Sequence, residues 1–150
     1  MEIGQQPMMQ SQEISKLEKS LSLIIMISSK ELKLLLRNSI DSEIIDKNYS
    51  YYSEEIEIEE ILTQLKIKLK EFNLINVVKV ILILNNKLSV LVPNDFFKED
   101  NCLDYLKFNS RLIKNDVASS DYIEELKAYN VYIAYGNITN YLIEKFGSFE

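Results

Sequence analysis

The sequence predicts an α/β domain built on one mixed sheet, and three observations carry that expectation. Residues 21–27 (LSLIIMI) and 77–84 (VVKVILIL) are apolar on almost every position, the pattern of strands covered on both faces. Between them Ile58, Ile61, Leu62, Leu65, Leu69 and Phe72 recur at helical spacing on one stripe. A helix leading from one strand to another normally sets the new strand parallel in the same sheet, by a right-handed connection.

The elements follow in order. Met1 and the residues to about Glu13 hold Gly4, Pro7 and several Gln and Ser without periodicity, so 1–13 reads as a disordered leader. The run 21–27 is the first inner strand, and Ser28, Ser29 and Lys30 turn the chain. Leu32, Leu34 and Leu36 then alternate with Lys33, Leu35 and Arg37 as a half-exposed antiparallel partner. Asn38 and Ser39 turn again into a third strand, 43–52, with Tyr49 and Tyr51 on one face. Ser53 reads as the N-cap of the striped helix. Its early glutamates (Glu54, Glu55, Glu57, Glu59, Glu60) and late lysines (Lys66, Lys68, Lys70) suit the helix dipole.

The strand Val77–Leu84 should be central. Asn85 and Asn86 separate it from 87–93, and two residues that tolerate positive φ between β-branched runs favour a hairpin ending at Pro93. Asn94 or Asp95 caps a short turn carrying Phe96 and Phe97, and Asp100 caps a helix reaching Phe108, with Leu103, Tyr105 and Leu106 inside. Residues 115–120 read as a short edge strand, 122–129 as a helical turn and 131–135 as a strand. Asn137 caps a last helix whose stripe is Ile138, Tyr141, Leu142 and Phe146, ending before Gly147.

Composition limits the chemistry. A chain of 150 residues suffices for a single domain, 14–150, that needs no metal or disulfide staple. There is no histidine, which excludes Ser-His-Asp and Cys-His catalysis and histidine-ligated metals. The single Cys102 cannot form an internal disulfide, fits a reducing compartment and reads as a small buried apolar residue. A net charge of -6 argues against nucleic acid as partner, since that affinity comes mainly from clustered cations. The run 21–27 is too short to span a bilayer and lacks the flanks of a signal peptide, so a cytoplasmic chain with no membrane partner is expected.

Three antiparallel strands, helix, inner strand, helix, strand, helix, with the two most apolar strands side by side, is the ribonuclease-H-like layout found in each half of the actin, sugar kinase and Hsp70 superfamily. The strand 87–92 is extra. It either extends a hairpin outside the sheet or displaces 131–135 from its assigned place.

Particular residues carry a closer likeness. Leu91-Val92-Pro93 with Phe96-Phe97, then Tyr105-Leu106-Lys107-Phe108-Asn109, then Asn130-Val131-Tyr132-Ile133-Ala134 ahead of the last helix, resemble an uncharacterised bacterial family, mainly of Bacteroidota, whose members resemble degenerate actin-like ATPases. The similarity covers roughly residues 11–147. Members usually continue into a second, similar half, and this chain resembles the first half alone. The resemblance implies an actin-like half-domain.

In active members of that superfamily an acidic residue at the end of the first strand and a glycine-bearing turn handle metal and phosphates, because backbone N–H groups must approach phosphate closely. The matching stretch, Ile25-Met26-Ile27-Ser28-Ser29-Lys30, has neither. A two-metal nuclease would need a carboxylate in the same place. Ser28, Ser29 and Lys30 read more plainly as a polar turn than as an anion grip. The run 53–60 (SEEIEIEE) holds five glutamates, but helical spacing spreads them about the axis, so a solvated first turn is the simpler account. Tyr49, Tyr51, Tyr52, Tyr129, Tyr132, Tyr135 and Tyr141 suit either a contact surface or half-buried sheet positions. No residue is assigned a catalytic, cofactor-binding or metal-ligating role, and no cofactor is expected. The expectation is a non-enzymatic structural or interaction module with a protein partner, itself included. The alternative is a nucleotide-responsive regulator completed by a second half or a partner chain.

Overall fold

The computed structural model describes residues 20–108 and 117–150. The expected leader, 1–13, and the first two residues of the expected strand 115–120 lie outside them. The chain forms two compact units, Met1–Ile83 with Ser148–Glu150, and Leu84–Gly147.

The first unit carries β1 (Leu21–Ser28), β2 (Glu31–Asn38), β3 (Ile44–Tyr51), α1 (Ile58–Lys68) and β4 (Val77–Leu84), in sheet order β3-β2-β1-β4. β1 and β2 pair antiparallel without interruption, which sets Leu23 opposite Leu36, Ile25 opposite Leu34 and Ile27 opposite Leu32. These six side chains share one face, and none is more than 2% exposed. The alternation read from β2 therefore has a physical outcome: its even positions are core and its odd ones lie on the other face. Ile61, Leu65 and Leu69 of the helix stripe are equally buried, and Phe72 nearly so. Each such side chain contributes about 1.5–3 kcal/mol by leaving water.

β4 lies beside β1, as the two apolar runs require. Leu21 at the start of β1 donates its N–H to Asn76, just ahead of β4, at 2.9 Å, so the two strands begin at the same end and run the same way. The chain enters β4 through Asn76 in the left-handed region, φ 68°, which asparagine tolerates better than most residues. The expectations that β4 is central and covered on both faces need correction: it is the last strand of the four-stranded sheet, and although Val80 is buried, Val78 on the same face is 67% exposed and Ile83 on the opposite face 39%. On its outer edge, Glu150 donates its N–H to Val80 O (2.9 Å) and accepts from Leu82 N–H (2.7 Å), the hydrogen-bond pattern of a parallel rung. Lys79 and Glu150 form an ion pair there at 2.7 Å.

The helix is shorter than its stripe. It begins at Ile58, and Glu57, not Ser53, stands at the N-cap without a side-chain cap bond. The cause is upstream: Tyr52 N–H donates to Lys30 O and Ile56 N–H to Ser29 O, both at 2.9 Å, so this stretch is held against the β1–β2 turn. Only Glu59 and Glu60 fall in the first turn, with Lys66 and Lys68 in the last.

The second unit holds β5 (Ser89–Pro93), β6 (Val117–Ile123) and β7 (Ala128–Ala134) in an antiparallel sheet of order β5-β7-β6. It also holds α2 (Cys102–Leu106) and α3 (Gly136–Phe146). Its core is Val92, Leu106, Val131 and Ile133, with Phe97, Cys102, Tyr105 and Tyr129 packed against it. The expected hairpin across Asn85 and Asn86 does not form, because β4 and β5 belong to different sheets. Asn86 instead turns the chain by accepting Leu88 N–H on its side-chain Oδ1 at 2.8 Å. The extra strand and the strand read at 131–135 thus pair with each other outside the first sheet, with Val90 opposite Val131. Residues 122–129 are not one helical turn: β6 runs to Ile123, a 3-10 turn covers Glu124–Leu126, and β7 begins at Ala128. Asp100 does not cap α2. It lies inside a preceding 3-10 turn, Glu99–Asn101, and Leu103 is exposed where an inner position was expected. Gly147 ends α3 as read, at φ 82° and with its N–H on Ile143 O (2.8 Å).

Candidate functional site

The turn after β1 is the place where a phosphate-handling protein of this layout would carry its chemistry. Here it is Ser28, Ser29 and Lys30. Ser28 Oγ accepts the Lys30 N–H at 3.3 Å, which uses one of the backbone donors a phosphate would need. The Ser29 and Lys30 carbonyls accept from Ile56 and Tyr52. No acid stands in the turn, and no glycine lets the backbone close on a ligand. The nucleotide and metal implied by the layout do not fit these three residues. Among the described residues, no three acids or cysteines gather in a way that would hold a metal ion.

The glutamates of 53–60 do not converge. Glu54, Glu55 and Glu57 precede the helix and are exposed, while Glu59 and Glu60 sit in its first turn, also exposed. Cys102 is half-buried at the start of α2.

The seven tyrosines are divided between the units. Tyr129 stacks on Phe97 with ring centroids 3.7 Å apart, and Tyr105, outside those seven, donates its hydroxyl to Phe96 O (2.8 Å) while accepting Lys98 N–H (2.9 Å). These are packing roles. Burial raises the Tyr132 hydroxyl's pKa, with the charge of Asp121 adding to it, and burial raises those of Tyr52 and Tyr141 as well.

Tyr49 and Tyr51 differ, being exposed on the edge strand β3. The β2–β3 register sets Tyr49 opposite Lys33, Tyr51 opposite Glu31 and Lys47 opposite Leu35. Lys33 Nζ lies 2.8 Å from Glu31 and 5.2 Å from the Tyr51 ring centre; Lys47 Nζ lies 5.9 Å from that of Tyr49. The Glu31 hydrogen bond and charge, with Tyr51 adding, hold the Lys33 ammonium's pKa above its ordinary value. Sequence reading placed the two tyrosines on one face but missed the lysines beside them. The signal was the odd-position alternation of β2, which puts Lys33 on that same face.

Comparison with known proteins gives the following. The sequence profile described as a protein of unknown function (DUF3822) matches residues 10–150. No curated protein matches. Among solved structures, a Bacteroides thetaiotaomicron protein with actin-like ATPase fold and unknown function is 15% identical, with a TM-score of 0.68 over 89% of this chain and 51% of that one. The cytoplasmic domain of EpsL, an inner membrane component of the type II secretion system of Vibrio cholerae, is 13% identical, with a TM-score of 0.45 over 85% of this chain and 52% of that one. The chain spans about half the length of either.

Proposed function

The chain belongs to the DUF3822 family of proteins of unknown function, and from that premise we propose that it is a non-catalytic structural or protein-interaction module with a degenerate actin-like ATPase fold. It works by contact with another chain, a second copy included. The observation that supports this reading is the turn Ser28-Ser29-Lys30, where a phosphate site of this fold needs an acid and a free backbone cradle and the protein has a closed polar turn. Calorimetry with ATP and magnesium tests it, paired with capture of partners from lysate of the source cells. The expected result is no saturable heat, and a captured chain.

The second reading is a nucleotide-responsive regulator completed by a second half or a partner chain. It is favoured by the span of the match, about half of the solved actin-like relative. Saturable heat that is lost on Lys30→Ala, measured on the longest available form, would establish it and overturn the first.

A further inference from the structure

β3 is the outermost strand of its sheet, and among the described residues no strand lies beyond it. The hydrogen bonds to β2 decide which backbone groups face that open edge. Tyr52 N–H donates to Lys30 O at 2.9 Å, and bonded pairs alternate along an antiparallel ladder. Ser50 and Asn48 therefore pair with β2, while Tyr51 and Tyr49 turn their N–H and C=O groups to the edge. Lys47 is the next residue of that outward set, and its N–H donates to the Asp46 side chain at 2.7 Å.

The same three residues also share a face of the sheet, because alternate side chains of a strand point the same way. The register puts Glu31, Lys33, Leu35 and Arg37 of β2 on that face with them, and Asp46 on the other. Its charge is opposite to that of the chain. Lys33, Arg37 and Lys47 stand there against Glu31, itself engaged by Lys33 at 2.8 Å, in a protein of net charge -6. Tyr49 and Tyr51 are 48% and 65% exposed beside them.

An extended segment that adds to this edge bonds to the backbone of Tyr49 and Tyr51, and its residues opposite Lys47, Tyr49 and Tyr51 project onto the cationic face. A second copy of β3 brings no carboxylate to that face, since its own side chains there are Lys47, Tyr49 and Tyr51. Lysine on an edge strand discourages pairing with its like. The same charge favours a strand that carries an acid. A nucleic acid suits the face less, because the chain as a whole repels a long polyanion.

Resting on the reading of the protein as a contact module, we propose that β3 docks an extended acidic segment of a partner protein. The segment pairs with the backbone of Tyr49 and Tyr51 and sets a carboxylate against Lys47.

The test follows amide shifts of the purified, isotope-labelled chain as two short synthetic peptides are added, one alternating glutamate with threonine and one alternating lysine with threonine. The glutamate peptide is expected to move the Lys47, Tyr49 and Tyr51 amides saturably, and the lysine peptide to leave them in place. Lys47→Glu should weaken the glutamate peptide about tenfold, since a like-charge contact replaces an attractive one, and high salt should weaken its binding to wild type. Tyr49→Pro removes an N–H that β2 does not use, so circular dichroism should show a folded chain that no longer takes the peptide. No movement of the three amides, an equal response to both peptides, or binding indifferent to Lys47→Glu overturns the proposal. So does a single-stranded oligonucleotide that moves the same amides at lower concentration than the peptide, or movement with concentration of the chain alone, because either gives the edge another occupant. None of these results overturns the contact-module reading if lysate capture succeeds, whereas saturable ATP binding would overturn that reading and leave docking at β3 standing.

Discussion

Leu65 and Ile67 lie two positions apart on α1 and differ in almost everything that determines the cost of truncating them. Leu65 is fully buried on the stripe, and Ile67 is 49% exposed. Replacing either by alanine changes helix propensity by only a few tenths of a kcal/mol. The difference between the two variants is therefore a packing difference. Leu65→Ala removes a side chain from water-free surroundings and leaves a cavity, which costs about 2–5 kcal/mol depending on how far the site collapses. Ile67→Ala gives up only the half of its surface that is covered, about 1 kcal/mol or less by area. In urea, with a slope of about 1–3 kcal/mol/M, the first substitution should lower the midpoint by roughly 1–3 M and the second by a few tenths. Equal losses from the two substitutions would refute the burial of the stripe.

Other perturbations follow from single features. Asn76 holds φ 68°, so Asn76→Gly should be close to neutral and Asn76→Val should lose about 1–2 kcal/mol, both measured by thermal unfolding. Burial raises the pKa of Tyr52, Tyr132 and Tyr141 above 10.0, so their neutral forms favour the folded state. That stability is fully present below the unfolded-state value and is lost as pH rises through the raised folded-state values. The urea midpoint should therefore fall from about pH 10 upward, and Tyr132→Phe should shallow the fall. Leu82 N–H is bonded to Glu150 O, so deleting Ser148–Glu150 should speed hydrogen exchange at Leu82 while leaving Leu34 protected.

Much of the first unit was legible because its signals are local and agree with one another. The apolar run at Leu23, Ile25 and Ile27, the alternation through Leu32, Leu34 and Leu36, and the helix stripe each mark a face, and those strand positions are buried, as are Ile61, Leu65, Leu69 and Phe72 of the stripe. The neighbour relation of β1 and β4 followed from their two apolar runs, and its parallel direction from the crossover rule. What failed were choices the local sequence leaves open. Asn85 and Asn86 mark a turn, but nothing in them tells whether the next strand joins the same sheet, and β5 pairs with β7 instead. Ser53 has the chemistry of a cap, yet the helix starts later because the backbone at Tyr52 and Ile56 is bonded to the β1–β2 turn. β6 was read short because Ser119, Ser120 and Asp121 give its middle no apolar face, as an edge strand permits.

At the candidate site, the residues missing from the turn after β1 were readable directly. The surface on β3 was only half readable, since the tyrosines are two apart in sequence and so share a face, but the lysines beside them come from two strands.

The central proposal is that the turn after β1 does not handle phosphate. Amide shifts of isotope-labelled protein, followed by NMR as ATP and magnesium are titrated in, test it at the residues concerned. The account predicts that the Ser28, Ser29 and Lys30 resonances stay in place to millimolar nucleotide. Saturable movement of those three amides, abolished by Lys30→Ala, would contradict it.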